Sequence, residues 1–190
     1  MDDIVLQAMA KWPDVPHCTG WLGLDARGRW WMRDEQAQAL GSFASGFHSA
    51  TPEARGSELQ HEKLTGFINR NYACDEKGAK AGQYYFQNGP QRVYVELQAT
   101  PYVWRVQSAA QGYSLTAHTG EPTRAQRCVL DEHGRVYMET ELGFGLVHSL
   151  DVGLAADAIE QGLWVPETVL TADLSKRFGY YRSPQALQAS

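Results

Sequence analysis

Between residues 84 and 118 the apolar positions fall in short runs cut by turn formers: Tyr84-Tyr85-Phe86, Val93-Tyr94-Val95-Glu96-Leu97, Tyr102-Val103-Trp104-Arg105-Val106 and residues 113–118. Runs of this length, rich in aromatic and β-branched residues, read as strands. Asn88-Gly89-Pro90, Thr100-Pro101 and Gln111-Gly112 break them, so four strands in succession form a meander. Upstream the period changes to 3.6. Ser57-Glu58-Leu59-Gln60 fits a capping box, and Leu64, Phe67, Ile68 and Tyr72 follow at helical spacing. This predicts a helix from Ser57 to about Asn71 with one apolar face on the sheet. Residues 4–12 predict a short helix stopped by Pro13. Leu150, Leu154, Ala158 and Ile159 share one side of another over 150–161. Residues 34–50 read as weakly helical or irregular and 51–56 as the least structured stretch. The tail, 164–190, alternates short apolar pieces with Pro166 and Pro184 and is expected to pack over the second half.

Two hairpins share a turn. Leu24-Asp25-Ala26-Arg27-Gly28-Arg29-Trp30-Trp31-Met32 returns 106 positions later as Leu130-Asp131-Glu132-His133-Gly134-Arg135-Val136-Tyr137-Met138, with five of nine identities. Asp-x-x-Gly fits a type I turn closed by a residue with positive φ, which glycine adopts without a Cβ penalty while Asp bonds the backbone ahead of it. A looser third instance, Cys74-Asp75-Glu76-Lys77-Gly78, reaches Tyr84 only after Ala79-Lys80-Ala81-Gly82-Gln83. The expected fold is α+β, mainly antiparallel β-hairpins and meanders with two or three helices, internally duplicated. Residues 1–110 form the first repeat unit (hairpin, helix, meander) and 111–190 the second (hairpins, helix, C-terminal tail), packed as one compact body.

Composition narrows the partners. The 190 residues are 43% hydrophobic, with six Trp and nine Tyr, enough for a core. Seventeen basic against 22 acidic residues leave a charge of −5 and none of the basic footprint that nucleic-acid binding requires. No apolar run approaches the roughly 18 residues of a membrane span, and the start Met1-Asp2-Asp3 is acidic where a secretory signal is basic. Cys18, Cys74 and Cys128 are odd in number and far apart, as suits reduced thiols. These features together point to a cytoplasmic protein with neither nucleic acid nor membrane as partner. Without C-x-x-C or H-x3-H spacing, neither a metal nor a cofactor is expected.

Lys11-Trp12-Pro13, Val15-Pro16, residues 20–30, Phe67-Ile68-Asn69-Arg70-Asn71-Tyr72 and residues 85–95 resemble an uncharacterised proteobacterial family of unknown function. Its core reads K-W-P-x-V-P … G-W-L-x-L-D-x-x-G-x-W … F-I-x-R-N-Y-x-x-D-x-x-G … Y-F-Q-N-G-P-Q-R-V-Y-V. The order of elements is also similar to a second family of unknown function, in which D-x-x-G-x-W, a helix, D-x-x-G-x-Y-x-L and a strand pair with V-x-V-E-x-x-P-F follow one another. Val93-Tyr94-Val95-Glu96 and Thr100-Pro101-Tyr102 stand for that last piece. The second resemblance implies small repeated α+β units with curved antiparallel sheets, and ligand binding or signalling. Neither resemblance supplies a catalytic residue, and the Ala79-Lys80-Ala81-Gly82-Gln83 insertion departs from both patterns.

The densest polar cluster is Gln87-Asn88-Gly89-Pro90-Gln91-Arg92, close in sequence to Asn69-Arg70-Asn71, and Asn69, Arg70, Asn88, Gln91 and Arg92 are its expected ligand-binding residues. Guanidinium forks and amides of this kind converge on a small anionic ligand; the competing reading is turn chemistry, with Gln91 and Arg92 facing solvent. The six histidines share no ligand spacing. His133 sits at a hairpin tip, whereas His118 and His148 lie at strand ends, where an imidazole either serves as general base beside a carboxylate or bonds a backbone carbonyl. Nucleophile elbows and glycine-rich phosphate loops are absent from the sequence. Adjacent aromatics such as Trp30 and Trp31 point to opposite faces of a strand, so one of each pair needs a helix, a second sheet, a ligand, or another subunit: a protein partner or a second copy in a homodimer. These observations favour a bacterial, non-enzymatic small-ligand-binding or regulatory and signalling module. The alternatives are a hydrolase using His118 or His148 with a carboxylate, and a structural protein-interaction module.

Overall fold

The computed structural model describes residues 1–44, 51–110 and 112–188; the readings that fall on His48, on the rest of 45–50 and on Gln111 lie outside them. The fold is α+β, with two sheets and six α-helices among the described residues. It is divided into two units, one made of residues 1–25, 29–99 and 180–190, the other of 26–28 and 100–179.

The first unit carries α1 (Asp3–Lys11), β1 (Cys18–Leu24), β2 (Trp30–Met32), α2 (Glu35–Ala39), β3 (Ser57–Glu58), α3 (Glu62–Arg70), β4 (Tyr72–Cys74), β5 (Tyr84–Asn88) and β6 (Gln91–Leu97). Its sheet has the order β3-β2-β1-β6-β5-β4, antiparallel except where β1 runs parallel to β6. The second unit carries β7 (Tyr102–Ala109), β8 (Gly112–Ala117), β9 (Pro122–Thr123), β10 (Arg127–Leu130), β11 (Val136–Thr140), β12 (Gly143–Val147), α4 (Val152–Glu160), β13 (Pro166–Thr168) and α5 (Thr171–Arg177). Its sheet has the order β13-β10-β11-β12-β7-β8-β9. Here β10 runs parallel to β13 and β12 to β7. The last helix, α6 (Pro184–Gln188), returns to the first unit.

Three expectations are corrected. The meander is two antiparallel pairs in different sheets, β5 with β6 and β7 with β8. Val93 through Leu97 are all buried, and a strand covered on both faces takes a central, parallel neighbour rather than the next hairpin arm. The helix begins at Glu62, capped by His61 Nδ1, which accepts from the Leu64 N–H at 3.3 Å. Ser57 and Glu58 instead extend the sheet, opposite Met32 and Trp31. Gly56, at φ +78°, turns the chain into that register, and the ladder outranks the local capping signal. Among the described residues the α-helices number six rather than two or three, because α2, α5 and α6 are only five to seven residues long, too short to show a period.

The unit boundary falls at Ala99/Thr100 where the sequence suggested about 110, and the tail from Tyr180 lies with the first unit instead of the second. The Leu97 N–H donates to the Arg182 carbonyl at 2.7 Å, and Arg182 Nη2 to that of Gln98 at 2.6 Å. Glu96, buried, accepts from the Ser183 hydroxyl at 2.5 Å and the Gln185 N–H at 2.9 Å. Burial pushes its pKa up; the two hydrogen bonds and the charge of Arg33 oppose that rise.

The repeated turns are built alike. Gly28 and Gly134 sit at φ +76° and +74°. Asp25 accepts from the Arg29 N–H at 2.9 Å and Asp131 from that of Arg135 at 2.8 Å, and each Asp pairs with the Arg four residues on. Each carboxylate also takes an aromatic donor: Trp31 Nε1 at 3.1 Å for Asp25 and the Tyr137 hydroxyl at 2.8 Å for Asp131. Trp30 and Trp31 diverge as strand geometry requires. Trp30 is buried against Tyr72 at 5.3 Å, and Trp31 lies under Arg55 at 4.4 Å and Arg29 at 5.5 Å.

Candidate functional site

One face of the first sheet is covered by α3. Trp30 Nε1 donates to Asn69 Oδ1 at 2.7 Å, and Phe67 meets Phe86 edge-on at 5.4 Å. Nine residues of helix span roughly 13 Å, so α3 leaves part of that face uncovered. The pairing of β1 with β6 changes register between Cys18 and Leu22. Within that bulge Gly20 has φ +82°, and a Cβ there would meet Gln38 Oε1 at 2.6 Å. Bulges re-aim the side chains beside them; here Trp21 is 41% exposed between buried Gly20 and Leu22.

The result is an open groove of about 470 Å³. Cys18, Trp21, Leu22 and Met32 line it from β1 and β2, Leu64, Phe67 and Ile68 from α3, and Phe86, Asn88, Gln91 and Val93 from β5 and β6. Met32 is 47% exposed at its edge. No lining residue is an acid or a base with a formal charge at neutral pH, and burial pushes the Cys18 thiol up. Asn88 and Gln91 face each other across the turn whose first central residue is Gly89, at φ +57°. The groove is therefore an apolar trough with two carboxamides at one end.

Of the five residues singled out from sequence, only Asn88 and Gln91 line this groove. Gln91 Nε2 donates to the Pro16 carbonyl at 2.9 Å. Asn69 is engaged by Trp30, and Arg70 pairs with Asp2 at 3.2 Å on the surface. Arg92, next to Gln91 on β6, points to the other face, where its Nη1 lies 2.5 Å from Asp75 Oδ1 and its guanidinium stacks over Tyr85 at 4.5 Å. Trp21, Met32 and Phe67 were missed, although a glycine inside a strand run, as at Gly20, is the usual mark of a bulge.

The strand-end histidines lie in the second unit. His118 Nδ1 accepts from the Val103 N–H at 3.3 Å and His148 Nδ1 from that of Leu150 at 3.1 Å. Asp151, which feels the charge of His148, is gripped by Arg105 at 2.6 and 3.1 Å and by the Val106 N–H. The Arg105 bonds come first among the influences that hold its carboxyl below the ordinary range. A second cleft in that unit, about 900 Å³, is bordered by Tyr113, Trp164 and the exposed Arg124 and Glu141. Its lining is more polar than that of the groove beside α3. Among the described residues no group of three His, Cys, Asp or Glu is placed to hold a metal ion, and no helix is long and apolar enough to cross a membrane.

A protein-family model, DUF2944, described as Protein of unknown function (DUF2946), matches residues 1–185. The chain belongs to the DUF2944 family. No curated protein matches this DUF2944 chain. Among solved structures, it is similar to a DUF1285 family protein from Silicibacter pomeroyi DSS-3, with a TM-score of 0.50 and 14% identity over 76% of this chain and 72% of that one. At that identity the likeness speaks for the fold alone. The DUF2944 family is thus an uncharacterised one, and its chemistry has to be read from the site.

Proposed function

We propose that this DUF2944 protein is a non-enzymatic small-ligand-binding module, and that its groove beside α3 takes a compact, mostly apolar, uncharged molecule whose polar end meets Asn88 and Gln91. The observation that carries the reading is the groove itself, with a half-exposed indole and thioether on its rim. Its volume is in the range of roughly 300 to 1,000 Å³ usual for small-molecule sites, which are apolar with a few placed polar groups. A charged ligand would lose hydration without meeting an opposite charge in the lining: neither Arg70, which pairs with Asp2, nor Arg92, on the other face of the sheet, lines the groove. Binding is favoured over catalysis because Cys18 is the one titratable side chain among the lining residues, and its thiol is pushed up, away from the nucleophilic thiolate.

Thermal-shift screening against neutral heteroaromatic and aliphatic amide metabolites tests this directly. A ligand at a hundred times its Kd adds about 2.7 kcal/mol to the folded state, and Trp21→Ala is expected to weaken it at least about tenfold while changing stability little. If only charged compounds raise the melting temperature, or Trp21→Ala binds as the parent does, the reading fails.

A further inference from the structure

The far face of β6 carries an arrangement that the groove does not use. We propose that Lys80, Arg92 and His17 form a binding site for a phosphate group, free or at the end of a larger molecule. The proposal goes beyond the groove, and neither depends on the other.

Asp75 organises the site. Its Oδ1 accepts from Arg92 Nη1 and its Oδ2 from the Tyr94 hydroxyl, both at 2.5 Å. Tyr94 is fully buried, and its pKa is pushed up to about 12 by burial and then by the bond to Asp75, so it stays a neutral donor. Its ring meets the other two members. Lys80 Nζ lies 4.2 Å from the centroid, and the His17 ring stands edge-on at 6.0 Å. His17 Nδ1 accepts from the Arg92 N–H at 3.4 Å, which leaves the proton of the neutral ring on Nε2.

The charges do not balance. Arg92 pairs with the carboxylate of Asp75, and Lys80 adds a second cation beside it; Glu76 and Lys77, next along the chain, are exposed and opposite in sign. Among the described residues Lys80 meets the Tyr94 face but no carboxylate. The imidazole of His17 lies within this field. Burial lowers its pKa first, Lys80 and Arg92 lower it further, and Asp75 offsets them only in part. The Lys80 ammonium on the Tyr94 ring, the Arg92 guanidinium joined to the Tyr94 hydroxyl through Asp75, and the His17 imidazole against the same ring thus bring positive charge and hydrogen-bond donors to one buried phenol. A compact oxyanion with several acceptor oxygens supplies what they lack, through charge-assisted hydrogen bonds.

The test follows the His17 ring by NMR through a pH titration, with and without inorganic phosphate, and with chloride at matched ionic strength. Bound phosphate raises the His17 pKa, because it cancels the repulsion from Lys80 and Arg92. Lys80→Met keeps the aliphatic stem on Tyr94, and is expected to abolish the phosphate-dependent shift and weaken phosphate binding at least about tenfold. Glycerol phosphate titrated in parallel assigns the natural ligand to an ester if it binds more tightly, or to the free ion if it does not. A His17 shift that chloride reproduces, or phosphate binding that Lys80→Met leaves intact, overturns the proposal. Neutral groove ligands are outside this readout, so its failure is separable from theirs.

Discussion

Asp131 shows how much one side chain carries in this protein. It is 3% exposed and accepts from the His133 and Arg135 N–H groups, the Tyr137 and Thr171 hydroxyls and the Arg135 guanidinium. Burial works to raise its pKa, but those bonds outweigh it, and the carboxyl lies below its ordinary value. A carboxylate whose folded pKa is depressed contributes stability that is present above the unfolded pKa, about 3.9, and is lost as pH falls through the folded value. Asp131→Ala leaves the buried Tyr137 hydroxyl without its acceptor and is expected to cost about 2 to 4 kcal/mol at neutral pH. Urea unfolding across a pH series checks both points: the deficit should shrink as the parent is acidified below pH 4. A deficit that is the same at pH 3 and pH 7 would show that the charge is not what the turn uses.

At the scale of elements, β3 and α3 were the informative pair. The Ser57 capping pattern satisfies local rules for a helix start, yet the chain uses those residues as an edge strand held by β2, with Glu58 bonded to Arg29 at 2.9 Å. Gly56 makes this possible. Its φ of +78° is reached without strain only by glycine, and an added Cβ would overlap the Met32 carbonyl and lie 3.0 Å from the Arg33 Cα. Gly56→Ala is therefore expected to destabilise the fold by more than the roughly 1 kcal/mol of an ordinary loop substitution. Hydrogen exchange should show the loss in β2 and β3 before it reaches β8. Equal stability of the variant and the parent would mean that this turn does not set the strand's register. The same elements decide the groove. Asn88 and Gln91 were legible because Asn-Gly-Pro marks a reversal in any context, whereas Trp21 and Met32 became wall residues only through a bulge and a helix too short to cover them.

At the scale of the whole molecule, the first unit is discontinuous in sequence, with Tyr180–Ser190 returning to it after the second unit is complete. The link rests on contacts such as Ser183 and Gln185 with Glu96, 87 and 89 positions apart. Deleting residues 180–190 removes the acceptor for the Leu97 N–H and strands the buried Glu96 carboxylate, whose unmet bonds cost about 1 to 3 kcal/mol each. Amides of β1 and β6 are expected to lose hydrogen-exchange protection while those of β10, β11 and β12 keep theirs. Uniform loss across both units would show that the two unfold together.

Sequence by itself determined the local pieces: the Asp-x-x-Gly turns at Asp25 and Asp131, the strand runs of β5 to β8, and helices α1 and α4. Each is written in bonds or periodicity within a few residues, so no distant partner is needed to recognise it. Tertiary structure alone decided that β6 lies beside β1, that Ser57 joins a sheet, that residues 180–188 complete the first unit, and that Gln91 and Arg92, adjacent in the chain, serve opposite faces of one sheet. Those outcomes are set by partners far along the chain, chosen through burial and pairing of whole elements, and a reading of neighbours along the chain has no access to that competition.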